Sequence, residues 1–267
     1  YSVAAVLGNK QAYERLNTPD YLENENNIKK LKPLAKKGNA YAIYALSCFW
    51  DASGDEVSRE RDAKKAAKIW KKQADSGDAE AQYLLGLCYL DGTGVEEDAT
   101  NALGLFEKAA ENGYVHALTE IGDMYKLGNG VEFSDKKGNE YHHKAAELGD
   151  LDAMTSLGRT YCEGYGVKAD VKKGVEWLKK AADSGYSDAY ALLAYWLDEF
   201  GDKENAREWR IKAAAIGDTT AQFGLAENLL KGTKMEQRLK ADDVKIYIND
   251  LFYFDRILEA IKGNLPN

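Results

Sequence analysis

Proline, cysteine, histidine and methionine occur three times each in 267 residues, and each scarcity removes a class of explanation. With so little proline, and no stretch rich in Pro, Ser or Gln, nothing reads as a long disordered linker, so one continuous folded body is the default. Three cysteines, Cys48, Cys88 and Cys162, cannot all pair, and an odd thiol sits poorly with an oxidising compartment. Three histidines are a thin supply for a metal centre. His142 and His143 are adjacent, so on a helix they project about 100° apart and cannot chelate one ion together, while His116 stands in a different segment. No metal and no cofactor is expected. Long apolar runs are missing too, since none approaches the roughly 18 residues that span a bilayer, which argues against membrane insertion. An excess of cations is absent: 36 Lys and Arg face 44 Asp and Glu, for a formal charge of −8. With both signs mixed along the length, no basic face stands out to hold a phosphate backbone, and nucleic acid is excluded as a partner.

Glycine, by contrast, is plentiful and regularly placed. Gly77, Gly113, Gly149 and Gly185 lie 36 residues apart, Gly217 follows after 32, and Gly38 precedes Gly77 by 39. A period of this size marks stacked repeats. Four residues after each glycine stands Ala42, Ala81, Ala117, Ala153, Ala189 or Ala221. Eight after it comes Leu46, Leu85, Ile121, Leu157, Leu193 or Leu225, and twelve after it Trp50, Tyr89, Tyr125, Tyr161, Leu197 or Leu229. Offsets of four, eight and twelve follow one face of a helix and cannot come from alternating strands. This is helix A of each repeat. The residue at offset nine is small, Ser47, Gly86, Gly122, Gly158, Ala194 or Ala226, as a close helix crossing requires.

Glycine pairs, Gly92 and Gly94, Gly128 and Gly130, Gly164 and Gly166, close helix A in three repeats. Asp98, Asp170 and either Ser134 or Asp135 are then placed to cap the start of a second helix, B. Helix B is read as turning Trp70, Phe106, Tyr141, Trp177 and Trp209 inward, and it ends on Ala109-Ala110, Ala145-Ala146, Ala181-Ala182 or Ala213-Ala214. Neither helix buries its apolar face alone, so stability must be collective. Residues 24–37 read as a lone helix B and residues 1–23 as an N-terminal capping segment. The repeats occupy 38–231, and residues 232–267 read as a C-terminal capping helix region. Residues 53–62 read as a charged insertion in place of the glycine loop, and residues 199–205 as a shortened one.

Stretches such as Ala81-Gln82-Tyr83-Leu84-Leu85-Gly86-Leu87-Cys88-Tyr89, then Gly92-Thr93-Gly94-Val95 and later Lys108-Ala109-Ala110, resemble the Sel1-like repeat, a relative of the tetratricopeptide repeat. The resemblance covers most of residues 36–231. It implies an all-α fold, an α/α solenoid of about six hairpins in a right-handed superhelix with helix A lining the concave side. It also implies adaptor, chaperone or regulatory roles exercised through protein binding.

Catalytic motifs are weak. Ser134-Asp135-Lys136-Lys137 has the Ser-x-x-Lys spacing of penicillin-recognising enzymes, but capping accounts for the serine and neither companion motif is present. The Gly-x-Gly loops lack a following Gly-Lys-Ser/Thr and recur with the repeat, so they read as turns rather than phosphate cradles. No catalytic residue is assigned. The three cysteines occupy different offsets in three repeats and are expected as thiols.

Binding therefore falls to the face of helix A away from the apolar rows, read as offsets three, six, ten and fourteen. Tyr41, Tyr44, Tyr83 and Leu87 are expected to form an exposed apolar patch there, with His116, Asp123, Arg159 and Tyr195 on the same rows; aromatic anchors of this kind carry binding energy. The expected partner is a protein or peptide, bound by a monomer in the concave groove, as a bacterial adaptor or a regulatory or virulence-associated factor. Two alternatives are an immunity-type protein with one tight secreted-effector partner, and a hydrolase with a groove site around Asp123, His116 and Arg159. The chain begins at Tyr1 rather than Met, which a removed signal peptide and an arbitrary cut would produce alike; export is the reading slightly favoured over a cytoplasmic home.

Overall fold

The computed structural model describes residues 25–52 and 54–230, which form twelve α-helices, with no strand among the described residues. In chain order they are α1 (Glu25–Lys36), α2 (Ala40–Ala52), α3 (Glu56–Asp75), α4 (Ala79–Asp91), α5 (Ala99–Glu111) and α6 (His116–Leu127). Then come α7 (Asp135–Glu147), α8 (Leu151–Glu163), α9 (Val171–Asp183), α10 (Asp188–Glu199), α11 (Lys203–Ala215) and α12 (Thr219–Leu230). The even-numbered helices are the A helices of the repeat and the odd-numbered ones the B helices. The chain divides into two compact units, residues 1–141 and 142–267, with the division inside α7. Within each unit successive helices pack against one another as hairpins. The capping segments expected over 1–23 and 232–267 lie outside the described residues.

Local chemistry explains where the helices begin. Carboxylates cap α5 and α9, Asp98 accepting from Asn101 N at 2.9 Å and Asp170 from Lys173 N at 3.1 Å. Ser134 Oγ accepts from Lys137 N at 3.3 Å, so its place at the start of α7 is that of a cap. The A helices are capped as well: Asn39, Asp78, Asp150 and Asp218, each one residue after an origin glycine, accept from the amide three positions on. These side chains satisfy amides that have no partner inside the helix.

Gly92, Gly128 and Gly164 end α4, α6 and α8 in the left-handed conformation. The second glycine of the pair has a different cause. A Cβ on Gly94 would lie 2.4 Å from the carbonyl carbon of Ala63, so the loop after α4 rests directly on the backbone of α3. The expected charged insertion at 53–62 is mostly helix: α3 starts at Glu56 and runs for 20 residues where α5 and α9 have 13. The shortened connection at 199–205 is present as a turn between α10 and α11.

The alanine row at offset four is buried in all six repeats, and Leu46, Leu85, Ile121, Leu157 and Leu193 at offset eight are buried with it. In the B helices the sequence reading was one residue out in two repeats. Tyr141 and Trp177 are only half-buried, while His142 and Leu178 are fully enclosed. Trp70, Phe106, His142 and Leu178 are the true series, 36 residues apart. The register follows from the glycine at offset nine. A Cβ on Gly86 would come within 2.6 Å of the Phe106 ring, and one on Gly158 within 2.4 Å of Leu178 Cγ. The missing side chain of helix A is the socket for this residue of helix B. A matching small row on helix B, Ala102, Gly138 and Gly174, completes the crossing, since a Cβ on Gly174 would meet Gly158 O at 2.7 Å.

Candidate interaction surface

The A helices α2 and α4 pack against the helix before and the helix after them, and this decides which of the proposed binding residues are available. Tyr44 and Tyr83 are not. Tyr44 is 8% exposed, with its ring 5.4 Å from that of Trp70. Tyr83 is 3% exposed and lies 5.7 Å from Phe106 and 4.8 Å from Tyr114. Offset six therefore faces the core, and the expected four-residue exposed patch is corrected to its outer half. The physical reason is that a helix packed on both flanks buries a wider arc than the stripe traced by offsets four, eight and twelve. Thr119, at the same offset in the third repeat, is buried too.

Tyr41 and Leu87 remain at the rim, both half-buried and packed against the core of the first unit. Tyr41 meets Trp70 edge-on at 5.9 Å and is hydrogen-bonded to the Glu80 carboxylate. Burial first, and then Glu80, push its phenol well above the usual tyrosine range, so it stays protonated and donates. Tyr83 repeats the device from inside, its hydroxyl donating to Glu120 Oε1 at 2.9 Å on the next A helix. His116 stands edge-on to Tyr114 at 5.7 Å, which joins it to the Tyr83 cluster. In the second unit Tyr186 donates to the Asp152 carboxylate. Arg159 is exposed there, and Tyr195 is 54% exposed with its ring edge-on to Trp196 at 5.2 Å.

Asp123 and His116 do not converge on a reaction centre. They stand seven residues apart on α6, about 10 Å of helical rise, and Arg159 belongs to the other unit. Titratable groups do meet around Tyr161. Lys173 Nζ donates to its hydroxyl at 2.7 Å and lies 4.0 Å from its ring centre, and His143 Nε2 is 2.8 Å from the same hydroxyl. Lysine only donates, so the hydroxyl oxygen accepts from Lys173 and keeps a second bond for His143 Nε2. Burial, and then Lys173, lower the His143 pKa. Lys137 over Tyr125 at 5.1 Å echoes the arrangement one repeat earlier, so its frame is a feature of the repeat. The thiols of Cys88 and Cys162 are pushed up to about 12 by burial, which makes them poor nucleophiles.

Tyr114 and Glu120 escaped the sequence reading, whereas Glu80 stands beside Tyr41 at offset three, where an acidic neighbour was expected. Tyr114 follows its origin glycine directly, as Tyr186 does, and that recurrence was the available signal. A second missed pattern is charge. The even-numbered helices carry eleven acidic and two basic side chains, and the odd-numbered ones fourteen acidic and twenty-three basic. Charges that look mixed along the chain are thus sorted by helix type, the A helices negative and the B helices positive.

The Sel1 repeat family model matches four times, over residues 40–78, 79–114, 115–150 and 151–186, together more than half of the chain. Among solved structures, a Sel1 repeat protein from Oxalobacter formigenes is 27% identical with a TM-score of 0.62, over 95% of this chain and 94% of its own. A protective antigen present in uropathogenic Escherichia coli strains, displaying the same repeat fold, is 30% identical with a TM-score of 0.62, over 83% of this chain and 47% of its own. No curated protein matches. Sel1 repeats generally bind proteins, and the family is generally a non-enzymatic scaffold. On the four matched repeats and the helix hairpins they fold into, this chain belongs to the Sel1 repeat family.

Proposed function

We propose that this chain is a non-enzymatic interaction module, a monomer that holds a protein or peptide partner on the outer face of its A helices as a bacterial adaptor or regulatory factor. The observation that carries the reading is the state of Tyr41 and Leu87. Both present part of their surface outward while the core holds the rest, so little rotamer freedom is left to lose on binding. His116 and Asp123 extend this rim in the first unit, and Arg159 and Tyr195 are the corresponding candidates in the second. The negative A helices favour a partner face carrying Lys or Arg, which speeds encounter and makes binding weaken with salt.

The test begins with affinity capture from the source cell and identification of the captured protein, followed by calorimetric titration with purified partner. A Tyr41→Ala, Leu87→Ala double variant that keeps its helicity is expected to lose roughly thirtyfold in affinity, the scale of a small hot spot. Unchanged affinity in the folded variant overturns the assignment of this face.

A further inference from the structure

A second surface, on the opposite charge layer, is defined by a cavity of about 270 Å³ in the first unit, lined by α1, α2 and α3. Its apolar lining is Ala35, Ile43 and Leu46, all core residues. Around it stand Lys32 and Lys36 of α1 and Arg61 and Lys65 of α3. Each pair is spaced four residues apart, so each is a like-charge neighbour pair on one helix face, an arrangement that costs stability by itself. The one lining carboxylate, Asp62, is taken up by Arg61, which holds it through Nε at 2.9 Å and Nη2 at 3.1 Å. Two cation pairs from different helices thus converge on one apolar depression in a protein whose formal charge is −8. The two flanking helices, α1 and α3, carry the largest net positive charge among the described helices, with eleven cations against five acids.

We propose that this cavity is a binding site for an acidic peptide segment of a partner protein, in which an apolar side chain enters the depression and flanking carboxylates meet Lys36 and Lys65 at its edge. The apolar lining selects against a bare polyanion, because a phosphate backbone offers nothing to bury there. Lys36 and Lys65 select against a purely apolar segment, which would leave two ammonium groups at a desolvated edge. Their long stems add apolar contact at the rim while their heads reach the carboxylates. The site is independent of the A-helix face, and either can fail without the other.

The experiment uses the full chain and fluorescence anisotropy with a labelled hexapeptide alternating Glu and Leu. Its Gln/Leu and Glu/Ser counterparts and a single-stranded oligonucleotide serve as competitors. The Glu/Leu peptide is expected to bind, with affinity falling as salt rises, and the three competitors to displace it at least tenfold less well. Lys36→Glu with Lys65→Glu is expected to lower its affinity more than tenfold while circular dichroism stays unchanged. Lys136→Glu with Lys179→Glu, on B helices that do not line the cavity, is expected to leave it within twofold. No binding at millimolar peptide, equal competition by Glu/Ser peptide or oligonucleotide, or equal loss in both charge-reversed variants would each overturn the proposal. Self-association of the chain that the Lys36 and Lys65 changes abolish would assign the cavity to a second copy and overturn it as well.

Discussion

Tyr83 shows how one side chain can be both an anchor of packing and a polar tie. Its ring fills space between Phe106 and Tyr114, and its hydroxyl reaches Glu120. Tyr83→Ala is expected to cost about 3–5 kcal/mol, as large aromatic truncations in cores do. Tyr83→Phe keeps the ring and gives up one hydrogen bond to a half-buried carboxylate that water can reach, about 1 kcal/mol. Chemical denaturation of the pair checks this, and equal losses would mean that the hydroxyl, not the ring, dominates. Gly158 is the converse case, where absence of a side chain is the function. Gly158→Leu places atoms where Leu178 already sits and is expected to destabilise by about 1–3 kcal/mol through overpacking. A neutral melting temperature would show that the α8/α9 crossing yields freely. His143 makes a claim about pH. Its pKa is lowered in the folded protein, so the unfolded chain takes up a proton first as pH falls. Its contribution is therefore present above the ordinary histidine range near 6.5 and lost progressively below it, down to the folded pKa. Between pH 7 and 5 the melting temperature of the parent should fall more steeply than that of His143→Gln, and parallel curves would remove His143 from the account.

At the level of helices, ends were readable where single residue types act locally. Asp98, Asp170 and Ser134 cap as their positions in the sequence predict, because an N-cap needs only its own side chain and the amide three residues on. The caps of the A helices are equally local, each an Asn or Asp directly after an origin glycine. Asp150→Ala is expected to cost about 0.5–2 kcal/mol, towards the upper end because Asp150 is buried. Differential scanning calorimetry reads this, and no change would mean that the α8 amides find other partners. Orientation of the B helices was harder. Tyr141 and Trp177 are the larger side chains, but the socket at Gly86 holds Phe106 and that at Gly158 holds Leu178, and His142 is buried at the same place in the 36-residue period. A wide aromatic survives half-buried beside the socket: Tyr141 stacks on Tyr125 at 5.7 Å.

For the molecule as a whole, the repeat period and the helix-hairpin fold followed from sequence alone, since glycine spacing and apolar offsets are one-dimensional signals. Burial around each A helix did not. Offsets four, eight and twelve locate the centre of the buried arc, but its width depends on how many neighbours flank the helix, and that number is a property of the stack. Tyr41 and Leu87 therefore stayed at the surface while Tyr44 and Tyr83 went inside, although all four looked alike in the sequence. The sorting of charge was written in the chain but became visible only once each residue was assigned to an A or a B helix. The convergence of Lys32, Lys36, Arg61 and Lys65 required the fold outright, because residues 29 positions apart reach one cavity only when α1 and α3 both pack against α2. Local propensity and period are set along the chain, whereas exposure and convergence are set by which helices become neighbours, and only packing decides that.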